Sequence, residues 1–119
     1  MKSFNLYIAI LVSIFTIHTS FAQDSLKKET IKVWGNCDKC KAHIEKAAKS
    51  AGAVTASWDE DSQELQVAYA PVKTSSIAIQ QAIAKVGYDT QDFKGDDKAY
   101  GNLDHCCQYD RKGAAKGKE

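Results

Sequence analysis

The chain has 119 residues, 26% of them charged, with 16 Lys and Arg against 15 Asp and Glu. That length suits one small domain with a modest core. The near-neutral balance leaves no basic stripe for phosphates or anionic lipid, which argues against nucleic acid as a partner.

Residues 1–22 read as an export signal. Lys2 supplies the positive start, Phe4–Ile17 is apolar apart from Asn5, Ser13 and Thr16, and Ser20-Phe21-Ala22 offers small residues where a signal peptidase reads. The apolar stretch falls short of the roughly 20 residues that span a bilayer. The expectation is cleavage after Ala22, a periplasmic or secreted protein, and no stable membrane insertion afterwards. No cysteine follows the cut to carry a lipid. Removing this segment takes away one charge, Lys2, and leaves 97 residues with 15 basic and 15 acidic groups.

Residues 23–28 form a polar lead-in. Thr30–Trp34 then alternates, with Ile31 and Val33 on one face, as a half-buried strand does. Gly35-Asn36 breaks it. From Asp38 the period becomes helical: Cys40, Ile44, Ala47, Ala48 and Ala51 share a face, and Gly52 fits the residue just beyond the helix. Val54–Trp58 and Glu64–Tyr69 read as two strands joined by the polar turn Asp59-Glu60-Asp61-Ser62. Pro71 stops the second. Thr74 or Ser75 can cap a second helix with Ile79, Ala82, Ile83 and Val86 as its buried stripe, Gly87 ends it, and Tyr88–Phe93 reads as a final strand. The order β-α-β-β-α-β predicts an α+β, ferredoxin-like domain over residues 29–93, a four-stranded antiparallel sheet with two helices on one face. Residues 94–119 form a C-terminal tail. It opens with a linker-like Gly95-Asp96-Asp97-Lys98, holds the apolar anchors Tyr100 and Leu103 and then His105-Cys106-Cys107 within Tyr100–Tyr109, and frays from Gly113.

Cys37 and Cys40 form a C-x-x-C pair where the first strand gives way to the first helix. Free amides and the positive end of the helix dipole lower thiol pKa values there. Two soft donors so placed suit Cu(I), and they equally suit a reversible disulfide. A purely structural bridge over so short a loop gains little. Cys106 and Cys107 cannot bond to each other without strain. In one reading the tail folds back and Cys106, Cys107 and His105 complete a site with Cys37 and Cys40, as Zn(II) or a closed Cu(I) site would want. In the other, a link such as Cys40 to Cys106 closes a loop of about 66 residues and stabilises by roughly 4 kcal/mol. His43, three residues after Cys40, reads first as a solvated side chain and second as a ligand. Trp34 and Trp58 read as packing. The acidic turn lacks the spacing of a calcium loop. No nucleophile–His–acid set, phosphate loop or H-E-x-x-H is present, so no enzyme activity is expected.

Lys32–Phe93 resembles the heavy-metal-associated domain of copper chaperones, metal-transporting ATPases and periplasmic mercury-binding proteins. The resemblance rests on VWGNCDKCKAHIEKA at Val33–Ala47, Tyr69-Ala70-Pro71 ending the middle strand pair, and AIAKVGYDT at Ala82–Thr90. It implies that Cys37 and Cys40 are the metal thiolates and that Tyr88 faces them from the opposite loop. One departure is Gly35, where the family usually has a methionine packed under the loop; a looser loop is the expected consequence. The function implied is an exported protein that captures, buffers or transfers Cu(I), with Hg(II), Zn(II) and Cd(II) as alternatives. A metal-transporting ATPase or an efflux or uptake protein is the expected partner, and the state a monomer or a metal-bridged dimer. The rival function is a thiol–disulfide oxidoreductase using the same pair. It lacks the proline that normally faces such a disulfide, because Pro71, the one proline, falls at the end of the third predicted element of the sheet.

Overall fold

A computed structural model describes residues 25–112. The export signal and the frayed end expected from Gly113 lie outside the described residues. Strand β1 covers Lys27–Lys32, β2 Thr55–Asp59 and β3 Glu64–Tyr69; helix α1 covers Asp38–Ser50, α2 Ser76–Lys85 and α3 Asp97–Gly101, followed by a 3-10 turn at His105–Cys107. The sheet is antiparallel with β3 between β1 and β2. β1 starts inside the stretch expected to be a polar lead-in, because Lys27 and Lys28 find ladder partners in Tyr69 and Ala68.

Register explains which side chains reach the core. Leu65 lies opposite Ile31 on one side and Trp58 on the other, so the three form a row across one face of the sheet. All three are buried, together with Val67 and Tyr69 two and four residues further along β3. On α1 the buried residues are Cys40, Ile44, Ala47 and Ala48, and on α2 Ile79, Gln80, Ile83 and Ala84. These faces meet in one core. Each fully buried Ile, Leu or Val side chain there contributes about 1.5–3 kcal/mol. Glu45 fastens α1 to β2, accepting from the Trp58 amide at 2.8 Å while holding Lys41. The Ser75 hydroxyl caps α2, accepting from the Ala78 amide at 3.1 Å. Val86, expected in the buried stripe, is 41% exposed, and the buried place goes to Gln80 and Ala84.

The expected fourth strand does not form. Among the described residues Tyr88–Phe93 contributes a single bridge, Val33 to Thr90. It meets the end of β1 only briefly, the Trp34 amide donating to the Asp89 carbonyl and the Gln91 amide to the Lys32 carbonyl, each at 3.0 Å, while the Asp89 amide donates to the Tyr109 hydroxyl at 2.8 Å and the Thr90 amide turns back to the Phe93 carbonyl at 2.8 Å. The architecture is therefore a three-stranded antiparallel sheet with helices, compatible with a ferredoxin-like plan and short of its fourth ladder.

The stretch expected to be a linker is packed. Gly95 sits so close to the chain at Gly87 and Tyr88 that an added Cβ would lie 2.8 Å from their carbonyl carbons. Its amide donates to Asp89 Oδ1 at 2.6 Å, and Asp96 caps α3 by accepting from the Ala99 amide at 2.8 Å. No helix among the described residues is long and apolar enough to cross a membrane.

Candidate metal centre

The loop between β1 and α1 is held from beneath. Trp58 donates its indole N–H to the Val33 carbonyl at 2.9 Å. Its ring fills the space under Gly35, where an added Cβ would come within 3.0 Å of two ring carbons and 3.2 Å of Cys40 Cβ. From the hairpin, Gln63 accepts from the Gly35 amide at 3.2 Å and donates to the Gly35 carbonyl. Gln63 is the one described non-glycine residue with positive φ, at 60°. The looser loop expected from the missing methionine is thus not what the structure shows: a tryptophan ring and a glutamine clamp take that role.

This loop delivers Cys37 to the position just before the first turn of α1, in extended conformation with φ −153°. Cys40 follows in the first turn, wholly buried. The two Sγ atoms are 3.6 Å apart. Burial works against ionisation of Cys37, but the amides of Cys40 and Lys39 and the thiols of Cys40 and Cys107 outweigh it and hold its pKa below the ordinary thiol value. The Asn36 side-chain oxygen accepts from the Cys40 thiol at 3.3 Å.

The tail brings one further sulfur to the pair. Cys107 Sγ lies 3.6 Å from Cys37 Sγ, and the donor atoms of Cys37, Cys40 and Cys107 all lie within 4.8 Å of one another. Cys107 is wholly buried, and burial, then hydrogen bonding with Cys40 and Cys37, pushes its thiol pKa well up. Cys106 and His105 are exposed and outside this cluster, although Cys106 Sγ is 3.9 Å from Cys107 Sγ. All four cysteines are free thiols, so no Cys40–Cys106 link is made.

Tyr88 faces the sulfurs. It is buried, its ring stacks on Tyr109 with centroids 5.5 Å apart, and its hydroxyl meets His43 Nδ1 at 2.9 Å. Burial first, and then the nearby Cys40 and Cys107, raise its pKa far above that of a free phenol, so it stays protonated. His43 is thereby committed to Tyr88. Trp34 lies outside, flanked by Lys32 and Lys112, each 5.8 Å from its ring centroid.

Sequence reasoning gave no role to Gln63, Asp89, Tyr109 or Arg111, which shape the site from a distance. Asp89 entered only as a letter of the AIAKVGYDT motif; Arg111 stands in a short polar run with no feature to mark it.

Neither a protein-family model nor a curated protein matches the chain by sequence. Solved structures do. The CopZ metallochaperone is 27% identical over 54% of this chain and 98% of its own, with a TM-score of 0.51. A solution structure from Bacillus anthracis str. Ames, 22% identical over 58% of this chain and 100% of its own with a TM-score of 0.54, speaks for the fold alone. A copper form of a CopA variant from Bacillus subtilis is 33% identical over 56% of this chain and 91% of its own, but superposes less closely, at 0.49. With a C-x-x-C at the head of α1 and Tyr88 opposite it on this scaffold, the site fits a heavy-metal-associated domain of the kind the CopZ metallochaperone has.

Proposed function

We propose that this protein captures a thiophilic metal ion, Cu(I) foremost, through Cys37 and Cys40, and buffers it or passes it to a partner. The observation that carries the reading is two thiols 3.6 Å apart at a helix N-terminus, one of them with a lowered pKa, above a packed loop. Soft, polarizable sulfur donors in low coordination suit Cu(I); Hg(II), Zn(II) and Cd(II) are the alternatives the same donors accept. The chemistry is ligand exchange rather than catalysis: a partner's thiolates enter the coordination sphere as the protein's own sulfurs leave. The likeness to CopZ supports a metal-transporting ATPase, or an efflux or uptake protein, as that partner. Residues 1–22 support delivery to an exported compartment, which an intact mass beginning at Gln23 would bear out and retention of Met1 would refute.

The test is anaerobic titration of the reduced protein with Cu(I) against a competing chelator. Tight one-to-one binding that disappears when Cys37 and Cys40 are both replaced by Ser is the expected result. Binding untouched by that replacement, or none at all, ends the reading. The same sulfur pair would also serve a thiol–disulfide oxidoreductase, and efficient insulin reduction by the metal-free protein would move the assignment there.

A further inference from the structure

The sulfur pair is only part of what faces the loop. Residues 94–112 return across residues 87–90 and are fastened at several points. Arg111 donates from Nη2 to Asp89 Oδ1 at 2.7 Å and from Nε to Asp89 Oδ2 at 3.1 Å, and the Lys112 amide adds 2.8 Å to Oδ2. Tyr109 donates its hydroxyl to the Gly87 carbonyl at 2.7 Å while stacking on Tyr88. Tyr100 packs edge-on against Tyr109 and donates to its carbonyl at 2.7 Å. These bonds set Cys107 against Cys37.

We propose that Cys107 is a third sulfur ligand, so that the ion sits among Cys37, Cys40 and Cys107, with the Asp89–Arg111 pair positioning the third. This rests on the metal-binding reading of Cys37 and Cys40 and adds to it. The spacing supports three donors over two. With metal–sulfur bonds of roughly 2.3 Å, a linear two-sulfur site needs sulfurs about 4.6 Å apart, a trigonal one about 4.0 Å and a tetrahedral one about 3.8 Å. Cys37 lies 3.6 Å from both Cys40 and Cys107, and all three donor atoms lie within 4.8 Å of one another, so a three-donor site asks for shifts of less than an ångström on any edge. A linear site would ask the Cys37–Cys40 pair alone to open by about 1 Å.

The alternative is that Cys107 is a small apolar filler, the commonest role of a buried free cysteine. Its approach to Cys37 rather than to aliphatic neighbours alone speaks for ligation. The consequence is retention. A third sulfur occupies a position that an incoming thiolate needs, so hand-off breaks the metal–Cys107 bond as the partner's metal–sulfur bond forms, and the proton shed by the incoming thiol passes to Cys107.

The experiment is X-ray absorption at the copper edge on the full chain, loaded anaerobically from a Cu(I)–chelator complex. Three sulfurs are expected in the wild type and in Cys106→Ser, and two in Cys107→Ser. Cys107→Ser is further expected to lose affinity by more than the roughly 10- to 100-fold seen when an outer-shell partner is removed. Arg111→Gln should lower the average sulfur count while leaving Cys37 and Cys40 bound. Two sulfurs in the wild type overturn the proposal and leave the Cys37/Cys40 reading standing, as does unchanged affinity in Cys107→Ser. Three sulfurs and unchanged affinity in Arg111→Gln overturn the positioning role of the pair. A wild-type chain that retains no copper overturns both readings.

Discussion

At Gly35 a single missing side chain reorganises its surroundings. Where the family it resembles usually has a methionine packed under the metal loop, this chain removes everything beyond Cα and brings the Trp58 ring up from β2. The two residues form one packing solution, so restoring the family's side chain to this background adds volume to a filled site. Gly35→Met is therefore expected to destabilise by about 1–3 kcal/mol, the usual cost of overpacking. Urea unfolding followed by tryptophan fluorescence measures it, and an unchanged midpoint would mean that the Trp58 ring can swing away freely. The sequence shows the glycine and both tryptophans but not their contact, because Gly35 and Trp58 are brought together by strand register across β3 and not by spacing. Gln63 is hidden for the same reason. Its place in a polar hairpin marks it as a turn residue, and nothing local says that its amide reaches the Gly35 backbone.

Elements whose signal is periodic were legible. β3 was expected at Glu64–Tyr69 and is found there, α1 differs by a residue, and Ser75 caps α2 as one of two candidates. The misreadings fall where long-range polar pairs decide. Tyr88–Phe93 has strand composition, yet beyond two bonds to the end of β1 its Asp89 and Thr90 amides are taken by Tyr109 and by a local turn. The tail looks linker-like by composition, yet Asp89 draws it in. Gly87 is the hinge of this arrangement. Its φ is +105°, and an added Cβ would lie 2.8 Å from the Tyr100 amide nitrogen, part of α3's backbone. A side chain here meets both conformational strain and a backbone wall. Gly87→Ala should therefore lift the tail off the domain, at a cost exceeding the roughly 1–2 kcal/mol of a left-handed residue alone. Mass mapping after brief alkylation reads this out: buried Cys107 should react about as fast as exposed Cys106 in the variant and far more slowly in the wild type. Equal protection of Cys107 in both proteins would show that the tail docks without close approach at Gly87.

For the molecule as a whole, one buried carboxylate joins domain and tail. Asp89 is 1% exposed and accepts from Arg111, the Gly95 amide and the Lys112 amide. Burial alone would raise its pKa, but the Arg111 guanidinium and those amides prevail and hold it below the ordinary carboxylate value. The folded state therefore binds this proton less readily than the unfolded chain does, and stability contributed by Asp89 is complete above the ordinary carboxylate range. It is lost as the pH falls through the depressed folded value, below about 4. Breaking the pair from one side leaves the other charge unmatched, so the tail should detach before the sheet and helices unfold. Comparing wild type with Asp89→Asn isolates this carboxylate from Glu45, whose pKa is also lowered on folding. Thermal melts from pH 7 to pH 3 should show the wild type more stable at neutral pH, with the gap closing as acid protonates Asp89. A gap that stays constant with pH would mean that Asp89 holds the tail by shape and hydrogen bonding, with its charge contributing nothing.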